Sequence, residues 1–84
     1  MPQPKATHWS SSLQAETRSV IESRGERFRS LDANLHFKNI DGRYGHMSLF
    51  DLGRGELYVI DKRDAECCDF ADVEVLLAAG WAID

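Results

Sequence analysis

The chain has 84 residues, of which 43% are hydrophobic and 29% are charged, and its formal net charge is −4. This length favours a single compact domain. It also leaves little room for a deep substrate cavity, because a chain of this size buries only roughly 60–65% of the surface that its unfolded form exposes. The composition excludes an intrinsically disordered chain. No apolar run approaches the roughly 20 residues that span a bilayer, so we expect no membrane segment and a cytoplasmic location.

The first predicted element is a helix that follows a polar tail. Residues 1–10 contain two prolines and show no periodicity, so we interpret them as a flexible tail. Ser11 and Gln14 have the spacing of a capping box, and apolar residues then recur at helical spacing from Leu13 to Phe28. The pattern predicts a helix over residues 11–29, with Gly25 as a kink or an early end.

Three strands are predicted in the middle of the chain. Apolar and polar residues alternate from Ala33 to Lys38, and Asp41-Gly42 suits a tight hairpin turn. The segments HMSLFDL and ELYVIDK, residues 46–52 and 56–62, predict two further strands of an antiparallel meander. Apolar residues fall on both faces of these strands. We therefore expect both faces of the sheet to be covered, by helices or by a second copy of the chain in a homodimer.

A second helix completes the predicted order. Residues 61–69 are interpreted as a polar loop, Asp69 as the N-cap of a helix, and Gly80 as the residue that ends it in the left-handed conformation. The sequence therefore predicts an α+β fold with the order α-β-β-β-α, in one domain over residues 11–84.

The largest chemical asymmetry is an acidic second half. Residues 47–84 carry three Lys or Arg against nine Asp or Glu, a net charge of −6, whereas residues 1–46 carry seven against five, a net charge of +2. Six of these carboxylates fall close together in the chain: Asp61, Asp64, Glu66, Asp69, Asp72 and Glu74. One interpretation is a solubilising surface with helix caps; the other is a patch that docks on a basic protein, where complementary charge speeds association and selects the partner. Trp81 is a candidate anchor of such an interface.

The leading hypothesis is a non-enzymatic binding protein that uses this acidic half. Basic surfaces belong disproportionately to proteins that handle nucleic acid, so an inhibitor of such machinery, of the anti-CRISPR or anti-restriction kind, is its sharpest form. The first alternative is a DNA-binding regulator that uses the arginines of the first helix, which are Arg18, Arg24, Arg27 and Arg29. Glutamates at intrahelical pairing distance from these arginines favour an ordinary solvated helix face instead.

No catalytic, cofactor-binding or metal-binding arrangement is visible in the sequence. Cys67 and Cys68 are neighbours, and the carboxylates around them disfavour a thiolate; a thiol-based sensor or small enzyme at this pair is the second alternative. The histidines lack the spacing of zinc ligands, and in the predicted hairpin His36 and His46 lie about five strand positions apart. We therefore expect no enzyme activity, no cofactor and no metal.

Overall fold

The sheet has five strands in the computed structural model, which describes residues 8–26 and 34–84. The elements in chain order are α1 (Ser11–Glu22), β1 (Asn34–Asn39), β2 (Tyr44–Ser48), α2 (Leu49–Gly53), β3 (Tyr58–Asp61), β4 (Cys67–Asp69), α3 (Val73–Ala78) and β5 (Trp81–Ile83). All paired strands are antiparallel, in the order β4-β3-β2-β1-β5. The predicted α+β class is confirmed, and the predicted meander is present as β1, β2 and β3, but β4 and β5 extend it to five strands.

The hydrophobic core lies on one face of the sheet. Phe37, Met47 and Val59 project from this face with no exposed surface, and α1 and α3 contribute Val20 and Leu76 to the same cluster. Tyr44, Ile60 and the buried Ala82 share the opposite face, so apolar residues do occur on both faces of the described strands. Cover of the sheet by a second copy of the chain stays a prediction.

The segment HMSLFDL divides between a strand and a short helix. β2 ends at Ser48, whose hydroxyl accepts a hydrogen bond from the Asp51 N–H at 3.4 Å and caps α2. Leu49 and Leu52, three residues apart, lie on the same face of α2 and are buried. The cap and this spacing favour a helix over a continued strand, which corrects the strand predicted here.

The second half contains a hairpin where a loop was predicted. β4 pairs with β3 within the predicted loop 61–69, and Asp69 belongs to this strand. The N-cap of α3 is Asp72, which accepts a hydrogen bond from the Val75 N–H at 3.0 Å, so the predicted cap is three residues too early. Gly80, with a φ of 93°, follows the helix as predicted.

α1 begins as predicted but is shorter. Its N-cap is Ser10 instead of Ser11, and it ends at Glu22, because Arg24 and Gly25 adopt positive φ angles of 58° and 68°. Gly25 thus marks the early end that the sequence allowed. The last residues of the predicted helix, 27–29, lie outside the described residues, as do residues 1–7 of the predicted tail.

The β5 side of the sheet is closed by a side chain of α1. The Ile83 N–H, which faces away from β1, donates to the Thr17 Oγ1 at 3.2 Å, and this hydroxyl in turn donates to the Leu13 carbonyl at 2.8 Å. Thr17 has no exposed surface. A buried threonine thus satisfies the outward amide of an edge strand, which would otherwise cost free energy.

Candidate functional site

The turn between β3 and β4 is organised by a buried carboxylate. The side chain of Asp61 is only 3% exposed; it accepts hydrogen bonds from the Arg63 N–H at 2.8 Å and from the Arg43 Nη1 at 3.3 Å. The Asp61 carbonyl accepts from the Ala65 N–H at 2.8 Å. Asp61 is therefore a structural residue, which corrects its predicted place on a partner-binding surface.

The two cations of this turn, Lys62 and Arg63, contact other groups and not the carboxylates that follow them, within the described residues. The Nζ of Lys62 lies 3.2 Å from the Nδ1 of His36 on β1. The guanidinium of Arg63 lies 3.8 Å from the carboxylate of buried Asp61. Lys62 and Arg63, the two cations beside the acidic run in the sequence, therefore contact His36 and Asp61 instead.

Three of the six predicted carboxylates remain exposed around β4. Asp64, Glu66 and Asp69, which we call the acidic edge, take part in no ion pair with the described residues. The one hydrogen bond within this set is from the Glu66 N–H to the Asp64 Oδ1, at 3.0 Å, and it shapes the turn. The acidic edge therefore presents three carboxylates that can meet cations from outside the chain.

The remaining two carboxylates belong to α3 and have partners. Asp72 is the N-cap of this helix. Glu74 accepts two hydrogen bonds from Arg18, one from Nε at 2.6 Å and one from Nη2 at 2.9 Å. This bidentate contact joins α3 to α1. Hydrogen bonding to Arg18 holds the pKa of Glu74 below its usual value and raises the pKa of Arg18. Neither residue adds free charge to the acidic edge.

Trp81 is a core residue and not a surface anchor. It is 2% exposed, and its ring packs over Gly45, where an added Cβ would lie 3.2 Å from the indole and 2.3 Å from Val59. The guanidinium of Arg43 lies over the ring, 5.2 Å from its centroid. The expectation that Trp81 contacts a partner is therefore corrected, because contact would require opening of the core.

The outer edge of β4 exposes backbone hydrogen-bonding groups. The Asp61 N–H donates to the Glu66 carbonyl at 2.9 Å, and the Phe70 N–H donates to the Leu57 carbonyl at 3.0 Å. Because hydrogen-bonded positions alternate in an antiparallel ladder, Cys68 points its backbone groups at β3 while Cys67 and Asp69 point theirs outward. β4 is the last strand of the sheet, and no strand of the described chain pairs with that side.

The two cysteines are free thiols on this strand. Cys67 is exposed, and Cys68 is partly buried. Desolvation by neighbouring groups and the nearby Asp69 carboxylate raise the pKa of the Cys67 thiol. A raised pKa is opposite to what an activated nucleophile needs.

The arginines of the first helix do not form one cationic surface in the described structure. Arg18 is held by Glu74, and Arg24 lies beyond the end of α1, with its Nη1 3.4 Å from the Gly53 carbonyl. Arg27 and Arg29 lie outside the described residues.

The face of the sheet opposite the helices carries cations and rings. His36 and His46 are direct cross-strand neighbours, which corrects the separation expected from the sequence, and the next pair along is Lys38 and Tyr44. Ile60 continues the row of His46 onto β3. We call these five residues the histidine face; Tyr44 is exposed, and the other four are half-buried. The Nζ of Lys38 lies 5.1 Å from the centroid of the Trp9 ring. Within residues 8–26 and 34–84, no three His, Cys, Asp or Glu side chains converge as metal ligands would.

Comparisons with known proteins add no relative. No family model, no curated protein and no solved structure matches this chain. No helix in the described parts of the chain is long and apolar enough to cross a membrane. The function is therefore argued from the residues themselves.

Proposed function

We propose that this protein is a non-enzymatic binding protein that docks on a basic surface of a partner protein through the acidic edge. The observation that carries the proposal is the sorting of charge in the β3–β4 hairpin. Lys62 and Arg63 are engaged by His36 and Asp61, while the carboxylates of the acidic edge stay exposed and without an ion pair in the described structure.

The location of these carboxylates suits association more than stability. Exposed carboxylates that lack a cationic partner contribute no ion pair to the fold, and their mutual repulsion opposes it. Complementary charge on a partner would relieve that repulsion, speed the encounter and exclude partners of like charge. The acidic edge also borders a strand whose backbone is open on one side, so charge and hydrogen-bonding groups share one surface.

The finer form of the proposal concerns the class of partner. Basic protein surfaces are concentrated in proteins that bind nucleic acid, because phosphate contacts rely on Lys and Arg. We infer that the partner is such a protein and that docking blocks its nucleic-acid site, as an inhibitor of the anti-CRISPR or anti-restriction kind would do. The small size and the net charge of −4 support this form.

The test compares two variants that lose the same charge from different places. The edge variant carries Asp64→Asn, Glu66→Gln and Asp69→Asn. The control variant carries Glu22→Gln, Glu26→Gln and Asp84→Asn, all at exposed positions away from β4. Each variant loses three carboxylates, so its formal net charge changes from −4 to −1. Asparagine at position 64 keeps the oxygen that accepts from the Glu66 N–H, so the turn is preserved.

Each protein is immobilised and exposed to nuclease-treated lysate of the natural host, and the affinity of any retained partner is then measured with purified proteins at low and at high salt. We expect the edge variant to lose at least about tenfold in affinity at low ionic strength, while the control variant binds as the original does. Equal binding by both variants would show that the acidic edge is not the docking surface.

A second candidate function is binding of single-stranded nucleic acid on the histidine face. The observation that favours it is the adjacency of Lys38 and the 53%-exposed Tyr44 to the pair His36 and His46, because rings stack on bases and cations contact phosphates. Binding of a fluorescent oligothymidylate at low salt should weaken in Tyr44→Ala but not in Phe50→Ala, which removes an exposed ring from α2. No binding by the unaltered protein would remove this candidate.

A further inference from the structure

We propose that the partner's basic segment adds as a strand to the outer edge of β4, an inference that rests on the docking function proposed above. An added strand fits at only one of the two edges of the sheet, because the edge strands β5 and β4 differ in their outward backbone groups. At β5, the outward Ile83 N–H is satisfied by Thr17. At β4, the outward groups have no partner strand in the described chain.

The available backbone groups have the spacing that an added strand requires. Cys67 and Asp69 each direct one N–H and one C=O away from β3, because the pairs Asp61 with Glu66 and Leu57 with Phe70 fix the alternation. Two residues of the same strand that face the same way offer two donors and two acceptors to an extended segment, which is the arrangement used in strand addition.

The side chains select a basic segment over a second copy of this chain. A residue directly opposite Asp69 on the added strand lies close to its carboxylate, so lysine or arginine there forms a favourable cross-strand pair. The side chain of Glu66 points to the other face of the sheet, because side chains alternate along a strand, and Asp64 lies in the turn before β4. Two copies pairing through β4 would instead bring two sets of carboxylates together, which is unfavourable.

The occupant is therefore an extended, cation-rich segment of the partner protein. Its backbone pairs with Cys67 and Asp69, and its cations alternate so that they lie on the face of the sheet that carries the Asp69 carboxylate. Charge supplies the selection, and the backbone hydrogen bonds fix the orientation and register.

The experiment uses three synthetic peptides of equal charge and the isotope-labelled protein. The first is a heptapeptide of alternating lysine and valine, which favours an extended strand. The second has the same sequence with N-methyl groups on alternate residues, which removes the donors on the pairing side. The third places the same lysines among glycine and serine, which keeps the charge and removes the strand preference. Affinity and amide hydrogen exchange at Cys67 and Asp69 are measured by NMR.

Strand addition predicts that the first peptide protects both amides and binds at least about tenfold more tightly than the second and third. If all three bind alike and the amides stay unprotected, strand addition is overturned while docking by charge stands. If none binds even at low salt, the docking function fails together with this inference.

A proline pair tests the same geometry in the protein itself. Cys67→Pro removes an outward N–H that the β3–β4 ladder does not use, so the fold should persist while binding of the alternating peptide weakens. Cys68→Pro removes a ladder donor and should destabilise the hairpin. Unchanged peptide binding by a folded Cys67→Pro protein would count against strand addition.

Discussion

Replacement of Asp61 by alanine tests the division of the acidic residues into structural and exposed groups. The carboxylate accepts from the Arg63 N–H at 2.8 Å and from the Arg43 Nη1 at 3.3 Å, and it is 3% exposed. A hydrogen bond contributes about 1 kcal/mol, and one to a charged group about 1.5–3 kcal/mol. Arg43 keeps its contact with Asp41 at 2.7 Å and is 30% exposed, so the lower end applies to it. We expect Asp61→Ala to lower the free energy of unfolding by about 2–3 kcal/mol.

The assay is urea or thermal unfolding followed by circular dichroism. For a domain of this size a loss of 1 kcal/mol lowers Tm by about 4–8 °C, so Asp61→Ala should lower it by roughly 10–20 °C. Asp64→Ala is the matched control: its carboxylate accepts one bond in an exposed turn, and the expected cost is below about 1 kcal/mol. Equal losses in the two variants would refute the assignment of Asp61 as the organiser of the turn.

Three further predictions concern single contacts. Thr17→Val should cost about 1–3 kcal/mol and speed amide exchange at Ile83, since it keeps the volume but removes the acceptor, whereas Thr17→Ser should keep that exchange slow. Cys67 should react with iodoacetamide at pH 8 more slowly than glutathione does, because its pKa is raised; faster reaction would revive the thiol sensor. The lowered pKa of Glu74 means that its contact with Arg18 stabilises the fold above the usual glutamate pKa and is lost as pH falls through the lowered value. Carbon-13 titration should show this low midpoint, and Arg18→Met should restore the ordinary one; an unchanged midpoint would contradict the contact.

Local signals in the sequence predicted the parts of the fold that local geometry determines. Asp41-Gly42 turns the β1–β2 hairpin, with the Gly42 φ at 98°, and Gly80 ends α3. Such residues act through their own backbone preferences, which are readable without knowledge of neighbours.

Short apolar segments were misread because two periodicities fit them. Leu49 and Leu52 suit a buried strand or one turn of helix, and the Ser48 cap decides in favour of the helix. β4 was missed because three polar-flanked residues, Cys67 to Asp69, carry no alternation of their own; their partner β3 makes them a strand.

In the candidate site, too, the sequence predicts what local signals determine and misses what tertiary contacts determine. The sequence identified the acidic run but could not separate Asp61 and Glu74, which pair with Arg43 and Arg18 at distant positions, from the exposed carboxylates. Trp81 was placed at the surface because its burial depends on Gly45, a small residue on another strand. These outcomes depend on tertiary contacts, which residue type and spacing along the chain do not encode.

The closed side of the sheet at Thr17 limits how far any assembly built on β4 can grow. Fibrils and open polymers need two complementary ends on every unit, so that each addition creates a new place for the next. At the β5 end of this sheet the strand is buried, and its outward Ile83 N–H is bonded to a hydroxyl of the chain's own helix. Copies of this chain therefore cannot join β4 of one to β5 of the next in an open polymer.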